Sequence, residues 1–175
     1  MTRYEALLAD TRTEFPRLRV VHKAGSHLQR VIGVFLRIVT LGGQSSYVER
    51  YRTVIGRTLY LPRNWDSLTD DDRWLALRHE RIHLRQFRRL TLVGMSLLYF
   101  LPLPIGLAWF RARLEWEAYE DTIRATAELH GLEAATRLRP WIVARFTGPA
   151  YAWMWPFPGT IGRWFDRAVG DLVAG

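Results

Sequence analysis

His79, Glu80 and His83 are the residues whose types and spacing could do chemistry together, in the pattern His79-Glu80-Arg81-Ile82-His83. On a helix, residues i and i+4 stand one above the other on the same face. Two imidazoles placed that way can grip one Zn²⁺ from the same side. The glutamate beside the first can then take a proton from water activated by the metal. Given the chain's own His and Glu content, such a pattern arises by chance in on the order of one chain in a hundred. The competing reading is therefore an exposed helix face whose two histidines bind nothing.

A catalytic zinc keeps three protein ligands and an open position. The segment best suited to supply the third is Arg113-Leu114-Glu115-Trp116-Glu117-Ala118-Tyr119-Glu120-Asp121. Two registers compete within it. Glu115 shares a helix face with Ala118, Tyr119 and Thr122, and the small alanine lets helix backbones approach. Glu117 shares its face with Arg113, Glu120, Asp121 and Arg124, which reads as a solvated surface. Glu115 is the preferred ligand and Glu117 the alternative.

With these residues in place, the chain resembles the gluzincin group of zinc metallopeptidases. The resemblance rests on His79-Glu80-Arg81-Ile82-His83 followed by Glu115-Trp116-Glu117-Ala118-Tyr119 on a later helix. Many gluzincins carry their third ligand in a pattern E-x-x-A-D or E-x-x-x-D. This chain departs from it at Tyr119, where an aspartate that orients a ligand histidine is common. The resemblance implies a minimal zincin-like domain, a Zn²⁺ cofactor, a peptide or protein substrate and peptide-bond hydrolysis. His79, His83 and Glu115 would hold the metal, with Glu80 as the base. Tyr119 or Asp121 would support a ligand, and Tyr119, Tyr151 or His130 would steady the oxyanion. An edge strand beside the His79–His83 helix would hold extended substrate by strand addition.

The elements that must position these residues read as an α+β, mostly helical fold in a single domain, 1–175. Residues 3–10 suggest a short helix, Asp10 to Pro16 a connection, and Leu18 to His22 a strand or arm. Ser26 suits the N-cap of an apolar helix from about His27 to Leu41. His22 and His27 lack ligand spacing and read as ordinary polar residues. Tyr51–Ile55 and Arg57–Leu61 flank Gly56 and are rich in β-branched and aromatic residues, so a β-hairpin or bent edge strand precedes the central helix. Thr69 with Asp72 approaches a capping box for that helix. Its arginines 78, 81, 85, 88 and 89 read as the solvated face opposite the histidines. Thr91 to Phe110 is uncharged and long enough for a membrane span, yet Pro102 and Pro104 interrupt it. A straight span would also run about 30 Å and separate Glu115 from His83. A hairpin near Leu101–Pro104, buried or re-entrant, reconciles both. A helix over 105–129 ends at Gly131, a short one follows at Leu132–Leu138, and Pro140 begins another. The aromatic tail reads as core packing, with an interfacial membrane belt as runner-up.

The net charge is +8 with Lys23 as the only lysine, and there is no cysteine. Disulfides and thiolate chemistry are therefore excluded. The first ten residues carry no secretory pattern, so the expected location is cytoplasmic, peripheral to a membrane or re-entrant in it. The basic charge permits an anionic membrane surface as partner. It also permits nucleic acid, though no recognised nucleic-acid motif is present. The alternative functions are a catalytically inactive or membrane-associated zinc-binding module and a basic nucleic-acid-associated protein.

Overall fold

Thr2 opens the first helix by a reciprocal cap. Its hydroxyl accepts the Glu5 N–H at 3.2 Å, and the Glu5 carboxylate accepts the Thr2 N–H at 2.7 Å. In the computed structural model, which describes residues 1–22, 53–100, 108–151 and 153–174, this helix is α1, Arg3–Glu14. It runs through the stretch read from sequence as a connection, because Asp10 and Glu14 find cationic partners. The chain forms two compact units, Met1–Leu92 and Val93–Gly175. The architecture is α+β and mostly helical, with one small sheet.

In the first unit, β1 (Arg19–His22), β2 (Thr53–Ile55) and β3 (Thr58–Leu61) form a three-stranded sheet in the order β1-β3-β2. β1 runs parallel to β3, with Val20 opposite Leu59. β2 runs antiparallel to β3, with Val54 opposite Leu59. Gly56 has φ +60° and Arg57 does not share that sign. This is the pattern of a two-residue turn with glycine at its first central position, whose twist suits a hairpin. The expected hairpin is thus present. The strand leading into the next helix is the central one, however; among the described residues β1 and β2 lie outermost. An expected helix over 27–41 lies outside the described residues, as does His27. His22 is exposed at the end of β1.

Trp65, in a single 3-10 turn at Trp65–Ser67, is buried and meets the Tyr4 ring edge-on at 5.7 Å. Burial pushes the Tyr4 hydroxyl pKa above its ordinary value. α2, Asp70–Phe100, follows. The Thr69 hydroxyl accepts the Asp72 N–H at 3.1 Å and donates to its carboxylate at 2.7 Å. The Asp70 carboxylate accepts the Tyr4 N–H at 3.3 Å, tying α2 to α1. The helical run is broken at Thr91, whose φ of 61° and ψ of 171° lie in a region essentially reserved for glycine.

In the second unit, α3 (Trp109–His130) ends where Gly131 turns to φ 84°. α4 (Leu132–Thr136), α5 (Arg139–Thr147, with Pro140 in its first turn) and α6 (Pro158–Ala174) complete it. Ala112, Trp116, Tyr119 and Ile123 form one stripe of α3. Ile142 and Phe146 of α5 and Ile161, Phe165 and Ala168 of α6 join them in a single core. No helix among the described residues is long and apolar enough to cross a membrane. Among the described residues of the uncharged stretch, Thr91 breaks the helical run and Ala108, just before α3, is not helical. The expected turn at Leu101–Pro104 lies outside the described residues.

Candidate metal centre

Helical spacing on α2 brings the His79 and His83 rings to 5.1 Å, edge to face. Both side chains are partly buried. His83 Nδ1 lies 2.9 Å from Gln86 Oε1, and Gln86 is itself only 2 % exposed. When Nδ1–H donates to that amide oxygen, the tautomer is fixed and Nε2 becomes the lone-pair atom of the ring. Gln86 stands one turn beyond His83, at i+3, the helical spacing that brings the two side chains together. Glu80, one residue from His79, is buried at 6 % exposure.

On the side of α2 opposite the histidines Arg85, Arg88 and Arg89 are exposed as expected, while Arg78 and Arg81 are half-buried. Arg81 has a side chain only 14 % exposed, held by Asp10 at 2.8 Å and Glu14 at 2.6 Å. Arg85 donates twice to Glu14, at 2.9 Å each time, and Arg88 once, at 3.2 Å. Arg88 also lies over the Phe15 ring, and Arg78 over Trp74. The hydrogen bonds from Arg85 and Arg81 hold the Glu14 carboxyl down at about 2. Three cations converge on one carboxylate because 81, 85 and 88 recur at helical spacing, and that carboxylate pins the helix carrying the histidines to α1.

α3 is buried on two sides. Beside its aromatic stripe runs a second buried row, Glu115, Ala118 and Ala125, with Thr122 half-buried. Glu115 is only 3 % exposed. A carboxylate so buried demands compensating charge or hydrogen bonds. Glu117 and Asp121 are half-buried, and the Glu117 side of the helix carries the surface pair Glu120–Arg124 at 2.8 Å.

Ligand atoms of His79, His83 and Glu115 all lie within 4.8 Å of one another. Among the described residues the group contains neither Glu117 nor Asp121. Tetrahedral donors about 2.0–2.2 Å from zinc stand about 3.4 Å apart. Two imidazoles and one carboxylate are a donor set of the kind that can hold a divalent metal ion.

The remaining candidates fall elsewhere. Tyr119 and Tyr151 meet as a hydroxyl pair at 3.1 Å inside the aromatic core of the second unit, Tyr119 packed on Trp141 and Phe146. His130 is exposed in the last turn of α3. It lies fifteen residues beyond Glu115, about 22 Å along the helix, which removes it as an oxyanion helper. Compared with known proteins, the chain matches no family model, no curated protein and no solved structure.

Proposed function

We propose that the chain is a zinc-dependent peptidase of gluzincin type. The observation that supports this best is the convergence of His79, His83 and Glu115 within 4.8 Å, with Glu80 next to the first ligand in sequence. In this reading His79 and His83 bind through one helix face, Gln86 fixes the His83 tautomer, and Glu115 completes the donor set. Bound there, zinc supplies Lewis-acid chemistry, polarising a scissile carbonyl and acidifying water. Glu80 accepts the proton of the attacking water and hands it to the departing amine. A purely structural zinc is usually closed by four protein ligands and needs no base. Three ligands beside a glutamate favour hydrolysis over scaffolding.

The test is zinc per chain in protein purified without added metal, beside the double variant His79→Ala, His83→Ala. One zinc per wild-type chain, lost in the double variant, is expected. Glu80→Gln should keep the zinc and lose about 10²- to 10⁴-fold in peptide cleavage. A folded wild-type chain that takes up no zinc even on soaking would falsify the reading. Zinc retained, with cleavage equal in wild type and Glu80→Gln, removes the hydrolase and leaves only the metal.

A further inference from the structure

The second unit carries an aromatic edge that its core does not absorb. The Trp109 ring stands edge-on to Trp155 at 4.9 Å and to Trp164 at 5.4 Å, and Trp155 stands edge-on to Phe157 at 5.0 Å. The backbone joins the same two segments, since the Ala108 N–H donates to the Met154 carbonyl at 3.0 Å and the Arg111 guanidinium to the Tyr151 carbonyl. In the two segments that meet here Trp109 is 40 % exposed, Phe110 50 %, Trp153 44 % and Phe157 46 %. A cluster of large aromatics facing water marks an interaction surface.

Charge identifies what it meets. The two segments that meet at the edge, 108–114 and 151–165, contain no aspartate or glutamate. Arg113 is exposed and lies over both Trp109, at 6.0 Å, and Trp164, at 4.9 Å. Arg163, also exposed, folds back to donate to the Thr160 hydroxyl at 3.3 Å, and the Thr160 N–H in turn donates to the Phe157 carbonyl. Guanidinium groups thus flank exposed indole and phenyl rings. A bilayer with anionic headgroups offers the complement, phosphates for arginine and the acyl boundary for amphipathic aromatic rings. A second copy of the chain would bring the same basic segments and so no complementary charge from them.

We propose that the edge formed by Trp109–Phe110 and Trp153–Phe157 is a peripheral docking surface for anionic lipid bilayer. The rings enter the headgroup region while Arg113 and Arg163 engage phosphates. The inference lies within the second unit and stands apart from the metal centre.

The test is co-sedimentation of the full chain with vesicles of phosphatidylcholine alone and of phosphatidylcholine mixed three to one with phosphatidylglycerol. Binding to the mixed vesicles is expected, weakened by high salt. Each basic residue at an anionic surface is worth about fivefold, so R113E/R163E should bind about tenfold more weakly or worse. F110S/F157S removes only exposed rings and should also weaken binding while far-UV circular dichroism stays unchanged. Chelator should change nothing. No sedimentation with either vesicle overturns the proposal. So does binding untouched by F110S/F157S and by salt, or a dimer in light scattering that F110S/F157S dissolves.

Discussion

The two helices that carry the candidate ligands are held by opposite means. The back of α2 is fastened by charge, with Arg81, Arg85 and Arg88 converging on Glu14 of α1. α3 is fastened by rings, with Trp116 on Phe146 at 6.2 Å and Tyr119 on Phe146 at 5.4 Å, and with Ile123 fully buried beside them. Aromatic packing is indifferent to pH and intolerant of lost volume. An ionic clamp is the reverse, tolerant of modest side-chain change but tied to protonation. The candidate ligands on each helix therefore inherit a different kind of sensitivity.

The largest effect should come from the ring-packed side. Phe146 is fully buried and touches both Trp116 and Tyr119. Phe146→Ala should cost about 3–5 kcal/mol through lost transfer energy and the cavity left behind. Urea unfolding followed by circular dichroism checks it. A loss below about 1 kcal/mol would show that α5 can collapse onto α3, and the contrast would break. The next effect belongs to the tautomer. Gln86→Ala removes the group that orients His83 and should weaken zinc binding about 10- to 100-fold, read by competition with a metal chelator. Unchanged affinity would show that His83 is oriented by other contacts.

What was legible in the sequence follows from how local each interaction is. The histidine pair, the hairpin turn at Gly56 and the stop at Gly131 each depend on residues within five positions, and each appears where the pattern put it. The preference for Glu115 over Glu117 rested on the amphipathic sides of α3, and of the two Glu115 is the buried one. The rest depended on distant partners. α1 continues to Glu14 because Arg81 and Arg85 lie across from it, 67 and 71 residues away in sequence. The same distance hid the ion pairs that those arginines make with Glu14. The helix Pro158–Ala174 was hidden by aromatic density, although Ile161, Phe165, Ala168 and Leu172 recur at helical spacing. The break at Thr91 has no local announcement, since neither proline nor glycine stands at 91 or directly beside it.

The smallest effect, and the sharpest probe of the contrast, is the pH response of the Glu14 clamp. The folded-state carboxyl titrates at about 2, held down first by the Arg85 hydrogen bonds and then by Arg81, against 4.5 ordinarily. A depressed carboxyl stabilises the fold above its unfolded value, and that contribution is lost as pH falls from about 4.5 toward about 2. Water screens Arg85 and Arg88, which are 45 % and 58 % exposed, so the full shift is not realised as stability. Glu14→Gln should cost about 1–2 kcal/mol at neutral pH. Every other carboxylate titrates in both proteins, so the difference between them isolates Glu14. The gap in urea midpoint between wild type and Glu14→Gln should be widest above pH 5 and narrow steadily toward pH 2. A gap constant across that range would mean that shape and packing, not charge, join α2 to α1. The two helices would then be held alike.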